Sequence, residues 1–197
     1  MTQVLRLIKP QDFVITKWSG GLTKQLAIAP AGAVYANRDF LWRVSSATVE
    51  LAKSDFTPLP AYNRYLSTIE GTIALRHGDE AEFTLAPGQV DYFDGGVATV
   101  SQGLCTDFNL MLRKGLCTGI MLSFALTQCQ GMSLPVLQGV GKKTLVLYCT
   151  KGKGKLTDTG LEQEVTRGEA LLLENPKLSI VQCKESFAFM LAEIVSK

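Results

Sequence analysis

Two short runs carry side chains whose types and spacing could do chemistry. Arg43 and Ser45 stand two residues apart in Asp39–Glu50, and Asp107 and Asn109 stand two apart in Asp107–Arg113. A guanidinium fork matches a carboxylate through two parallel hydrogen bonds. An aspartate and an asparagine beside it can accept from, or orient, an amide or formyl group. That set suits recognition of a small polar acid. It suits catalysis less well, because an adjacent arginine lowers a carboxylate's pKa, whereas a base working near neutrality needs it raised. The only histidine, His77, sits in His77-Gly78-Asp79 and reads as an exposed residue of a hairpin turn. One histidine cannot build a multi-histidine zinc or iron site, and at a turn it gives no Ser or Cys nucleophile a partner. No catalytic residue, metal ligand or cofactor is therefore assigned.

The elements that must position these groups read as strands. Phe40 to Glu50 is rich in valine, threonine and aromatics and holds no Gly or Pro. Side chains alternate between faces, so Leu41, Arg43, Ser45, Ala47 and Val49 share one face and Phe40, Trp42 and Val44 the other. In the second run Asp107, Asn109, Met111 and Arg113 share a face, opposite Phe108, Leu110 and Leu112. Packing of the bulky face turns Asp107 and Asn109 toward whatever lies opposite. Two readings stay open: the four polar residues converge in the mouth of one small barrel, or they lie on a solvated outer face.

The rest of the chain is consistent with short strands punctuated by turns. Gly20-Gly21 leads into Leu22–Ala29 without a nucleotide-binding glycine pattern, and Trp18 before it reads as core filling or as a pocket wall. Gly and Pro turns follow at Gly71, Gly78, Pro87-Gly88 and Gly95-Gly96, which argues for an all-β sandwich or barrel. Leu116–Leu126 is a linking segment or a strand. Lys151-Gly152-Lys153-Gly154-Lys155 reads as a solvated turn. The order strand, glycine bend, strand, turn glycine, strands and closing strand recurs at an offset of roughly 80 residues, which suggests a duplicated module. The second closing strand, Phe187–Glu193, is apolar where the first has Asp107 and Asn109, so a site belongs to the first half.

The 197 residues, 46% hydrophobic and 19% charged, are enough for one full core or two small lobes. A net charge of +2 without a basic run argues against nucleic acid. The start of the chain lacks the pattern of a signal peptide, and no stretch has the length of a membrane-spanning helix. The five cysteines include no Cys-x-x-Cys and read as reduced, which together with the start of the chain gives a cytoplasmic expectation.

One stretch carries a resemblance. Trp18-x-x-Gly21-x-Thr23-Lys24, Phe40-Leu41-Trp42-Arg43-Val44-Ser45-x-Ala47-x-Val49, Phe56, Pro60, Arg64, Glu70-Gly71, Gly103 and Asp107-Phe108-Asn109-Leu110-Met111-x-Arg113 resemble the HutD/Ves family over residues 18 to about 115. Gln25 stands where that family usually has a glutamate. The resemblance implies a bicupin, two jelly-roll-like β-barrel modules in one chain, here residues 1–122 and a degenerate 123–197. It implies a role in histidine utilisation or a stress response, through a small acidic metabolite such as formylglutamate or formiminoglutamate. In that reading Arg43 or Arg64 holds a ligand carboxylate and Asp107 and Asn109 orient its polar group. Trp18 and Trp42 wall the pocket, and Thr23 and Ser45 supply hydroxyls. The alternatives are a metal-free hydrolase or isomerase using Asp107 as base, and a ligand-free interaction module. A second copy of the chain is a further candidate partner.

Overall fold

The structure, a computed structural model, describes residues 2–197. Its strands are β1 (Val4–Ile8), β2 (Val14–Trp18), β3 (Gly21–Ala29), β4 (Trp42–Val49), β5 (Lys53–Asp55) and β6 (Tyr62–Glu70). They continue as β7 (Ile73–His77), β8 (Phe83–Leu85), β9 (Val90–Asp94), β10 (Thr99–Gln102), β11 (Cys105–Arg113) and β12 (Cys117–Leu126). The last are β13 (Gly131–Ser133), β14 (Lys142–Asp158), β15 (Leu161–Thr166), β16 (Ala170–Glu174), β17 (Ser179–Gln182) and β18 (Phe187–Ser196). Single 3-10 turns lie at Pro10–Asp12 and Tyr35–Asn37. The fold is all-β and of the two-module cupin kind.

Val14–Leu116 forms one compact unit. The segment ending at Phe13 joins Cys117–Lys197 in the other, because β1 pairs along β16. In the first unit a six-stranded sheet runs β2-β3-β4-β11-β6-β9 and a four-stranded sheet runs β5-β10-β7-β8. In the other unit, β12 pairs β18, β18 and β16 both pair the first part of β14, and β13-β17-β14-β15 continues from its second part. The pairing order β4-β11-β6-β9 thus recurs as β12-β18-β14-β16, and β5-β10-β7-β8 as β13-β17-β14-β15. The duplication read from the glycine spacing is real at the level of hydrogen-bonded neighbours.

The structure differs from the sequence reading at Lys151–Lys155 and at His77. Lys151–Lys155 is no turn, since β14 runs through it with a register shift between Cys149 and Lys151. Its glycines serve close packing. A Cβ on Gly152 would overlap the Ser186 carbonyl, and one on Gly154 the Phe187 ring. The lysines face outward, Lys153 and Lys155 pairing with Glu164 and Glu162 at 2.8 and 2.6 Å. Of the two readings open for Leu116–Leu126, residues 117–126 take the strand. His77 ends β7 and is buried.

The cores differ between the units. The unit containing Cys117–Lys197 fills its interior with a continuous cluster that includes Leu145, Leu147, Leu156, Leu171, Val181, Phe187, Phe189 and Leu191. In Val14–Leu116 the apolar core is divided. Val49, Leu66, Ile73, Leu75, Leu85, Phe93 and Cys105 form one cluster, and Phe40, Leu59, Tyr62 and Met111 another. Between them the inner face of the six-stranded sheet carries polar side chains.

Candidate functional site

Register places those side chains in rows. Residues paired across neighbouring strands share a face, and successive same-face rows lie roughly 7 Å apart. Ile28, Arg43, Met111, Arg64 and Phe93 make one row. Gln25, Ser45, Asn109 and Leu66 make the next, and Thr16, Thr23, Ala47, Asp107 and Thr68 the third. Trp18, Gly21, Val49 and Cys105 make the fourth. The small side chains Ser45 and Ala47 leave space above the middle rows. The result is a cavity of about 270 Å³ with a cationic end and an apolar end.

Trp18, Thr23, Arg43, Ser45, Arg64, Asp107 and Asn109 all line this cavity. Trp42 does not. It is buried on the opposite face of the same sheet, opposite Ala29 and Leu112, because it differs in parity from Arg43. Trp18 is a wall rather than core filling: it is 39% exposed, on an edge strand with no packed neighbour beyond. The bare backbone of Gly20 lies against its ring, where a Cβ would overlap the indole. Thr16, Tyr35, Ala47, Val49, Ser54–Thr57 and Met111 complete the lining. Val49 and Met111 were legible from strand parity, and Thr16 shares parity with Trp18. Tyr35 comes from the 3-10 turn in a connection with no periodicity, so the sequence carries no signal for it.

The cationic end is built from two buried guanidiniums with different settings. Arg43 donates from Nε to Gln25 Oε1 at 2.9 Å and from Nη1 to Ser45 Oγ at 3.2 Å. It lies 4.2 Å over the Tyr35 ring, which Arg38 also approaches at 3.9 Å. Arg64 has no hydrogen bond and no ion pair among the described residues, and its Nε is enclosed without a partner. Its guanidinium carbon instead lies 4.8 Å from the Phe56 ring centroid and 5.2 Å from that of Phe93. Burial lowers the pKa of both arginines, that of Arg64 to about 10, which still leaves them protonated at neutral pH.

Asp107 is held from two sides. Its Oδ1 accepts the Ala47 N–H at 2.8 Å and its carbonyl accepts Ser46 Oγ at 2.7 Å. A register shift against β6 between Thr106 and Asp107 sets its direction, as bulges do where a strand re-aims a side chain. Burial raises its pKa to about 6, against the opposing pull of the Ala47 N–H, Arg64 and Arg43. The expectation that a neighbouring arginine would lower this pKa is thereby reversed: desolvation of a nearly enclosed carboxylate outweighs charges that make no contact ion pair with it. Asn109 is 5% exposed, and its Oδ1 is enclosed without a partner.

Polar groups buried without partners cost free energy that a merely structural role would avoid. The lining carries two guanidiniums against two carboxylates, the enclosed Asp107 and the exposed Asp55, so the match to an anion rests on the unpartnered Arg64 and not on an excess of positive charge. It is not matched to a transition metal, since its two carboxylates, Asp55 and Asp107, have no imidazole or thiolate beside them among the lining residues. Among the described residues no group of three His, Cys, Asp or Glu side chains could hold a metal ion.

The HutD family model matches residues 10–190. The chain belongs to the HutD family. Among solved structures, a conserved protein of unknown function from Pseudomonas aeruginosa is 21% identical with a TM-score of 0.81, covering 98% of this chain and 100% of that one. HutD from Pseudomonas fluorescens, solved in a formate condition, is 20% identical with a TM-score of 0.76 over the same shares. A bacterial pirin from Escherichia coli in complex with nickel(II) shares the fold at 7% identity and a TM-score of 0.71, again over 98% and 100%. No curated protein matches the sequence. Membership of the HutD family covers both units, whereas the resemblance read from sequence motifs reached only the first.

Proposed function

We propose that this HutD-family protein binds a small organic acid in the cavity of Val14–Leu116, without a metal, and through that ligand modulates histidine utilisation or a stress response. The observation that carries the reading is Arg64: a buried guanidinium with no hydrogen-bond partner among the described residues, beside a second arginine in an enclosure that mixes apolar side chains with hydroxyls, Asn109, Asp55 and Asp107. A carboxylate would take the open fork of Arg64 in a bidentate way. Arg43, anchored by the neutral Gln25 amide, would add charge without being consumed by a protein carboxylate. Asn109 and Asp107, one and two rows on, would accept an N–H or orient a formyl or formimino group. Formylglutamate and formiminoglutamate have both features, and the HutD relative solved in a formate condition makes formylated acids the first to try. The five cysteines form no disulfide among the described residues, which fits a cytoplasmic setting for such a metabolite.

A thermal-shift screen against formate, formylglutamate, formiminoglutamate, urocanate and glutamate tests this. A ligand at a hundredfold excess over its Kd stabilises the fold by about 2.7 kcal/mol, a shift of several degrees. The expected result is a shift with one acid that is lost in folded Arg43→Ala and Arg64→Met variants. No shift with any of them sinks the histidine-intermediate reading.

A second reading, a metal-free enzyme, is favoured by one observation: the pKa of Asp107 lies near 6 rather than in the usual carboxylate range. A carboxylate so placed can take a proton from a water attacking a bound formyl carbon, giving formate and the free amine. Formate release from formylglutamate that disappears in Asp107→Asn while binding persists supports it. Binding without release under any pH from 5 to 8 refutes it.

A further inference from the structure

We propose that His77, outside the cavity lining, is a positioning residue of the anion site: it supports the pair of phenyl rings over which the Arg64 guanidinium lies. The inference rests on the anion-site reading above.

Arg64 makes no hydrogen bond of its own, so its location depends on Phe56 and Phe93. His77 reaches both. Its imidazole stacks on Phe93 with ring centroids 4.5 Å apart and planes inclined by 30°. Its Nδ1 lies 2.9 Å from Thr99 Oγ1, and the Thr99 carbonyl accepts the Phe56 N–H at 2.9 Å. The third contact joins the two sheets: Nε2 lies 3.0 Å from Asp91 Oδ2. Asp91 is on β9 of the six-stranded sheet, two residues before Phe93, whereas His77 and Thr99 pair within the four-stranded sheet. One side chain therefore ties β7, β9 and β10 beneath Arg64. It is 7% exposed and not among the cavity-lining residues, so it acts through the rings and not on the ligand.

The duplicated unit supplies an internal comparison. Asp158 pairs with Ser179 there as His77 pairs with Thr99. Ser179 Oγ donates to Asp158 Oδ2 at 2.6 Å, and Gln3 Nε2 and the Lys177 N–H also donate to this carboxylate. A hydroxyl on the partner strand is thus common to both repeats. The imidazole occurs where an aromatic ring must be held under an arginine, and the carboxylate where the interior is Leu and Phe.

Two readouts separate this role from a general structural one. The first needs no ligand: the Arg64 Nε–Hε signal in a nitrogen–proton correlation spectrum, assigned by its loss in Arg64→Lys. Lying over two ring faces, it should stand upfield of the exposed arginines in the wild type. It should keep that position in His77→Gln, whose amide can accept from Thr99 and donate to Asp91. In His77→Ala it should move toward the others. The second is affinity for glutarate, expected to fall at least tenfold in His77→Ala and to stay within threefold of wild type in His77→Gln. Should His77→Ala not fold, Asp91→Asn and Thr99→Val are expected to move the same signal in part. An Arg64 signal unchanged in every folded variant overturns the proposal. Failure of wild type to bind glutarate or any acid overturns the anion-site reading instead, and the Arg64 signal still decides the role of His77.

Discussion

Asp107 shows how burial decides a residue's chemistry. Its pKa in the folded chain is raised, to about 6, above the unfolded value near 3.8. The folded state therefore binds the proton more tightly than the unfolded one. The advantage is full below the unfolded pKa and is lost as pH rises from there through about 6. Above that range the ionised carboxylate costs up to about 3 kcal/mol, since each tenfold gain in proton affinity is worth about 1.36 kcal/mol. Asp107→Asn keeps an oxygen for the Ala47 N–H and should raise the melting temperature at pH 7.5, with the gain gone near pH 4. Equal effects at both pH values would contradict the assignment. The candidate residues on β4 and β11 were legible because parity alone aligns Arg43, Ser45, Asp107 and Asn109. The raised pKa of Asp107 was not, because sequence spacing shows neighbouring charges but not how completely water is excluded. The same blindness put His77 in an exposed turn: Gly78 does make the turn, but His77 lies one residue inside the strand, facing Phe93 and Asp91.

At the scale of elements, the cavity exists because β4 alternates a long polar residue with small ones on its inner face. Arg43 is followed by Ser45 and Ala47, and only then by Val49. A volume increase at Ala47 should fill the space without removing a hydrogen bond. Ala47→Leu is expected to cost about 1–3 kcal/mol of stability through crowding, and to abolish acid binding while the protein stays folded by circular dichroism. Retained binding would place the ligand elsewhere. The succession of strands along the chain and most of their boundaries were readable from Gly and Pro turns and from apolar alternation, whereas which strands pair was not. The lysine-glycine stretch in β14 was not. Its glycines are needed where Ser186 and Phe187 approach the backbone, a long-range packing demand that looks like turn chemistry in a local window.

At the scale of the molecule, one strand pattern is used twice with opposite interiors. In the unit containing Cys117–Lys197, the inner-face positions carry leucine and phenylalanine and form a continuous apolar cluster. In Val14–Leu116 two arginines, an aspartate and an asparagine occupy the inner face and divide the core. Stability alone does not favour that exchange, since replacing buried charges by apolar groups is often neutral or stabilising. The repeat itself was legible from glycine spacing. Where each unit begins and ends was not, because β1 joins β16 across most of the chain's length.

The central claim is that the chain has one anion site and that Arg64 is its anchor. Calorimetric titration of formylglutamate into wild type and Arg64→Met tests it most directly. The expected result is one acid bound per chain, with affinity lowered about a hundredfold or more in Arg64→Met, as removal of one partner of a buried charge pair costs about 2–5 kcal/mol. Binding of two acids per chain, or unchanged affinity in Arg64→Met, would contradict it.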